Sequence, residues 1–266
     1  MTVTHAMRAL SGIATREMLR FLQQRERFFA ALVRPLLWLL VFAAGFRAVL
    51  GLSIAPPYET YVIYEVYVVP GLVGMVLLFN GMQSSLSMVY DREMGSMRML
   101  LTSPLPRWFV LGAKLIAGAS VSVLQAYCFL AAAAIYGVRF QPTGYIAMLP
   151  AMFLAAFSFG AIGLLLSSLI RQLENFAGVM NFVIFPLFFL STALYPLWKM
   201  QESSELLYWL CLLNPFSHAV ELIRFAAYGK FNGLALAVTM GAAGIFLLLA
   251  IWSYDPRFGL LKRQVA

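Results

Sequence analysis

Six stretches of this 266-residue chain are long and apolar enough to cross a membrane as helices, and that repetition limits the possible folds more than any motif does. About 20 apolar residues carry a helix across the roughly 30 Å hydrocarbon layer. The stretches run over Phe28–Leu50, Val66–Val89, Phe109–Ala134, Tyr145–Ile170, Phe176–Leu194 and Gly233–Tyr254. In lipid, backbone amides must find partners without water, which favours helices and disfavours open sheets. Composition agrees, with 62% apolar and 11% charged residues, where a soluble domain carries about a quarter charged. These numbers argue against a soluble enzyme and exclude disorder. The chain reads as an all-α polytopic membrane protein with six transmembrane helices.

Charge sets the orientation. With the N-terminus inside, fourteen Lys and Arg residues lie on the cytoplasmic flanks and five on the other side, whereas the acids divide six to five. Both termini are therefore expected in the cytoplasm. The first 27 residues carry arginines and no short apolar core with a cleavage site, so the first span is expected to be its own insertion signal. The net charge of +8 reads as this orientation signal. No basic cluster joins base-stacking aromatics, and no nucleic-acid partner is expected. Residues 1–27 form one segment, 28–254 a single six-span domain and 255–266 a cytoplasmic tail.

Three segments outside the spans carry patterns of their own. In the first, Met7, Leu10, Ala14, Met18, Phe21, Leu22 and Phe28 fall within an arc of about 120° on a helical wheel, opposite Arg8, Arg16, Gln23, Gln24 and Arg27. An amphipathic helix lying in the inner headgroup layer is expected, with Arg16, Glu17 and Arg20 among its charges and membrane lipid as its partner. The second is the cytoplasmic loop 90–108. Met94, Met97 and Leu101 share one face of a short helix, Arg92, Glu93 and Arg98 add charge, and Pro104 stops it. Such a methionine face adapts to a partner, although a helix resting flat on the membrane has the same pattern. The third is the external stretch 195–232. Leu206–Leu213 is too short to cross. Asn214 and Pro215 then start a second helix as N-cap and first residue, and Gly229 ends it after about 21 Å. Two short amphipathic helices dipping into the outer leaflet are expected, with His218, Glu221 and Arg224 forming a local salt-bridge cluster that shapes the cap.

Catalytic motifs do not occur. The sequence contains no GxxxxGK[ST] loop, no HExxH and no GxSxG. Cys128 and Cys211 lie far apart, so neither a disulfide framework, a thiolate site nor a metal centre is expected. The middle of every span lacks Asp, Glu, Lys, Arg and His, which removes the ionisable site a proton- or ion-driven transporter needs. Uphill transport would then need a partner to supply energy; a passive channel or a structural membrane protein is the other reading. Polar residues within spans are uncharged, among them Asn80, Gln83 and Asn181. Ala147, Ala151 and Ala155, and Gly163 with Ser167, are spaced for close helix packing.

In this order of parts, the stretch Asp91–Gly118, DREMGSMRMLLTSPLPRWFVLGAKLIAG, resembles the cytoplasmic loop of type-2 ATP-binding-cassette (ABC) exporter permeases that are encoded apart from their ATPase. Leu213-Asn214-Pro215 after the short external helices, and Val69-Pro70-Gly71 opening the second span, add to the likeness. Met97-Arg98 and Ala113 depart from the family's usual acidic residue and glycine. The resemblance implies that residues 92–104 contain a coupling helix, with Arg92, Glu93, Met94, Met97, Arg98, Leu101 and Pro104 facing an ATPase subunit. The N-terminal segment would be the connecting helix. This chain would bind no cofactor; ATP and magnesium would sit on the partner. Two permeases would pair through their first, second and fifth spans in a bacterial inner membrane. Asn80, Gln83, Asn181, Phe182 and Phe185 are then candidates for lining the substrate path.

Overall fold

The computed structural model describes residues 3–23, 32–41, 57–58, 63–93, 106–170 and 172–254. These are helices and turns, with no strand among them. In chain order the helices are α1 (Val3–Gln23), α2 (Leu32–Val41), α3 (Tyr64–Ser84), α4 (Leu86–Glu93), α5 (Arg107–Tyr136), α6 (Pro142–Leu169), α7 (Leu173–Phe189), α8 (Leu197–Ser203), α9 (Glu205–Leu213), α10 (Pro215–Ala227) and α11 (Gly233–Ser253).

Among the described residues, four helical segments are long and apolar enough to span a membrane: α3 running into α4 over Tyr64–Asp91, then α5, α6 and α11. The α9–α10 pair, bent by 73°, makes a fifth if it counts as one span. The remaining two expected spans are not among these. Of Phe28–Leu50 only residues 32–41 are described, as α2. The expected Phe176–Leu194 span is α7, which stops at Phe189. Its end is held by polar contacts: Asn214 donates to the carbonyls of Leu187 (2.7 Å) and Leu190 (2.6 Å), and Ser191 Oγ to that of Phe188 (2.5 Å). These satisfy the carbonyls a helix end leaves open. Within the loop 90–108, residues 94–105 lie outside the described residues, as does the tail 255–266.

Turn chemistry explains the other ends. Gly137, at φ 113°, closes α5 in the left-handed conformation that glycine adopts freely. Pro142 opens α6. Asn214 accepts from Phe216 N to cap α10, and Asn232 from Ala235 N to cap α11.

α6 is the hub, packed against α3, α5, α10 and α11. α3 is the most enclosed helix, with 89% of its most apolar stretch buried. Small residues permit this closeness. A Cβ at Gly71 would lie 2.2 Å from the Ala193 carbonyl oxygen, and one at Gly163 would lie 2.9 Å from Met82 Cα. Ala151 and Ala155 of α6 are buried as the sequence spacing predicts, whereas Ala147 is only half-buried. Exposed apolar side chains occur on α2 (Val33, Leu37, Val41), α7 (Val179, Phe182) and α11 (Met240, Ile245, Leu248), and also on α5 (Ile116, Leu124, Ile135) and α9 (Leu206, Leu213).

Contacts sort the helix ends into two sets. At one end lie α1, the end of α4, the start of α5, the end of α6, the start of α7 and the end of α11, linked by Arg16–Asp91, Lys114–Asp91, Leu173–Glu93 and Ser167–Tyr254 contacts and by the cluster of Met88, Leu111, Leu115, Leu164 and Tyr254. At the other end the start of α3 meets the turn after α7 and helix α10 through Tyr64, Tyr67 and Arg224. The N-terminal helix, both described ends of the loop 90–108 and the end of the last helix therefore share one side.

Candidate functional site

At the α1 end, the second span breaks where serines compete for its backbone. Ser84 Oγ donates to the Gly81 carbonyl (2.7 Å), Ser85 Oγ to Gly160 of α6 (3.3 Å) and Ser87 Oγ to Ser84 (3.0 Å). Such bonds divert helical acceptors and favour a bend. Beyond the break, α4 carries Asp91 and Glu93 outward. Asp91 Oδ2 lies 3.0 Å from Lys114 Nζ, both side chains only 8% exposed. Lys114 also reaches Met88 Sδ at 3.0 Å. Arg16 of α1 stands 3.8 Å from the same carboxylate oxygen and 3.7 Å from Glu17. A buried lysine is tolerated when it is paired, and this carboxylate joins α1, α4 and α5. A small cavity lined by Glu17, Ser84, Ser87, Lys114, Leu115 and Leu164, among others, adjoins the pair, with room for about one water molecule.

The coupling candidates divide. Glu93 is exposed, and its Oε1 accepts from the backbone N–H of Leu173 at 2.8 Å. Arg92 falls within α4 and Arg20 within α1. Met94, Met97, Arg98, Leu101 and Pro104 lie outside the described residues.

The candidates for the substrate path also divide. Asn80 of α3 donates its amide to Gln125 of α5, so it is engaged between two helices of one chain. Gln83 is half-buried. Asn181, Phe182 and Phe185 lie exposed on α7, where Phe185 stacks on Phe189 and meets Phe79 edge-on at 6.5 Å. Phe79 receives the Arg34 guanidinium of α2 at 4.1 Å, which ties α2, α3 and α7 together.

At the cap end, Arg224 is 1% exposed. Its guanidinium pairs with Glu221, donates to the Thr192 carbonyl (2.8 Å), reaches the Tyr67 carbonyl (3.5 Å) and lies 4.0 Å from the Tyr67 ring centroid. Tyr67 Oη and Tyr64 Oη donate to Thr192 and Leu194, each at 2.9 Å. Burial pushes the neighbouring Tyr58 hydroxyl above its ordinary range, and the Arg224 charge opposes that shift. The Glu221–Arg224 pair is the expected one. His218 departs from the expected cluster: its Nε2 lies 2.8 Å from the Leu212 carbonyl, so it fastens α10 to the end of α9.

Sequence reasoning missed the Asp91–Lys114 pair and the Tyr67–Thr192–Arg224 knot. One signal was available: a lysine a few residues inside an apolar span needs a counter-charge, and Asp91 stands at the same end of the preceding helix. Tyr67 and Thr192 carry no such signal.

A helical membrane protein with a polar cap at one end, and a carboxylate-bearing helix leading into a loop at the other, is the class these elements define. The profile of the ABC-2 type transporter family matches residues 8–228, and the chain belongs to that family. It is 31% identical over 211 residues to the Escherichia coli K12 protein named multidrug ABC transporter permease YbhR, covering 78% of this chain and 55% of that protein. Over 213 residues it is 26% identical to the transport permease ycf38 of Cyanophora paradoxa, covering 77% of this chain and 70% of that protein. The chain thus spans about half the length of the first relative and 70% of the second.

Proposed function

We propose that this chain is the membrane subunit of an ABC exporter in a bacterial inner membrane, with both termini cytoplasmic. It would cross the bilayer six times: α2 belongs to the first span and α7 to the fifth. Arg92, Met94, Met97, Arg98, Leu101 and Pro104 would dock a separate ATPase that binds ATP and magnesium. α1, with Arg16, Glu17 and Arg20, would lie along the inner headgroups. The single observation carrying this reading is the family match, which runs unbroken through α1, the loop 90–108 and the cap.

Nucleotide binding would close two ATPase subunits and displace the docked loops. A loop can be shifted only if its contacts differ between the two states. The chains would pair across a central path, and the exposed apolar faces of α2 and α7 suit such an interface. α3 offers a partner little surface, because its own chain already covers it. An apolar path without charges favours an amphipathic or lipid-linked substrate, and the multidrug name of one relative is in keeping with that class. The test is co-purification of the full chain with an ATP-binding-cassette ATPase, and its loss on Arg98→Glu or Met97→Asp. A chain that holds no ATPase and tolerates both changes would be a passive channel or a structural protein instead.

A further inference from the structure

α4 ends in two carboxylates two residues apart, and they reach different helices. Asp91 is held by Lys114 of α5 and faces Arg16 of α1. Glu93 accepts the N–H of Leu173, the first residue of α7, at 2.8 Å. A helix start leaves its first N–H groups without intrahelical acceptors, and its positive end favours a carboxylate. α7 does not meet that need locally. Its N-cap residue Gln172 makes no capping bond, and the Gln172 amide oxygen is taken by Asn175. By contrast, α10 and α11 are capped by their own asparagines. Glu93 fills the role from a distant part of the chain, at the point where the loop 90–108 leaves the helical body.

The surroundings of Glu93 suit a transmitted movement. α3 is fixed by burial, the serine break at Ser84–Ser85 separates α4 from it, and α4 packs against α7. From Leu173, α7 continues as one helix to Phe182 and Phe185, roughly 14–18 Å along its axis at 1.5 Å per residue. We propose that Glu93 is a positioning residue: through the Leu173 N–H it links the loop 90–108 to α7, so that displacement of the loop carries the exposed phenylalanine face with it. This inference rests on the permease reading above. It differs from that reading in one respect, because it turns the Glu93 carboxylate inward, to α7, and not toward the ATPase.

The bond can be cut from either side. Glu93→Ala removes the acceptor, and Glu93→Gln keeps a carbonyl acceptor. Leu173→Pro removes the donor and leaves the helix intact, because proline suits the first helical position and Gln172 already has the extended backbone that precedes a proline (φ −104°, ψ 137°). The experiment follows amide hydrogen exchange along α7 in the full chain with its co-purifying ATPase in nanodiscs, with and without ATP and vanadate. In the wild type, nucleotide is expected to change exchange across α7. Glu93→Ala and Leu173→Pro should each shrink that change at least about threefold, and the double variant no further, as expected for one shared contact. Glu93→Gln should retain most of it. Leu173→Pro, which alters no loop side chain, should leave ATPase co-purification unchanged. A nucleotide response that survives both single variants, or effects that add, overturns the proposal. So does release of the ATPase by Glu93→Ala alone, which would make Glu93 a docking charge. A wild-type chain that holds no ATPase overturns the permease reading itself, before any substitution is made.

Discussion

Replacing Arg224 with methionine tests whether the cap is held by its buried charge. Methionine nearly matches the arginine stem in length and removes only the guanidinium. The charged hydrogen bond to the Thr192 carbonyl is worth about 1.5–3 kcal/mol. The desolvated contact with the Tyr67 ring adds about 1–2 kcal/mol. Glu221 would lose its partner, but its side chain is 23% exposed, so water recovers much of that loss. Relief from burying the arginine charge offsets part of the sum, which leaves a net destabilisation of about 3 kcal/mol. At about 2–4 °C per kcal/mol for a chain of this size, the unfolding midpoint should fall by about 6–12 °C. Tryptophan fluorescence of the purified chain in nanodiscs reads that shift. Glu221→Gln should cost about 1 kcal/mol, and the double variant less than the two singles together, because they share one contact. A midpoint unmoved by Arg224→Met, or strict additivity in the double variant, would refute the reasoning.

Asn214→Ala removes a side chain that starts α10 and ends α7, and should cost about 2–3 kcal/mol, with faster amide exchange at both helix ends. Asn214→Asp keeps the acceptor, loses the donor and should fall between. Lys114→Met takes from the buried Asp91 carboxylate its partner at 3.0 Å and should destabilise by about 2–4 kcal/mol in a thermal scan. Adding Asp91→Leu should restore part of that loss. Gly163→Val puts a Cβ 2.7 Å from Ser85 Oγ and should cost about 1–3 kcal/mol. Gly178→Ala, where nothing lies within 4 Å, should be neutral or stabilising in the same scan.

Local chemistry was legible in the sequence where one residue decides one turn. Asn214 and Pro215 start α10 as read from the sequence, and Gly229, at φ 64°, stands past its end. The apolar run Leu206–Leu213 is α9, with Glu205 added. Hydropathy failed at the end of α7, because Leu190–Leu194 stays largely apolar while its carbonyls serve as acceptors for Tyr64, Tyr67, Asn214 and Arg224. Those donors sit on other helices, so no window along the chain contains them. The short helix α8 escaped for a related reason: its seven residues have too little periodicity to register. At the candidate site, Glu93 was singled out by its place in the loop motif, but its acceptor role at Leu173 spans 80 residues. Asn80 stands out in the sequence as a polar residue within a span, but its partner Gln125 lies on another helix, 45 residues on.

The enclosure of α3 bears on how the chain is made. It leaves the ribosome ahead of α5, α6, α7 and α10, the helices packed around it. Tyr64, Tyr67 and Asn80 gain their acceptors only after 130, 125 and 45 further residues have been synthesised. Until then their polar groups face lipid or the insertion machinery, where unsatisfied donors are costly. A nascent chain halted after α7 would hold this helix without the cap, and membrane quality control would meet the Tyr64 and Tyr67 hydroxyls on a surface the finished protein conceals.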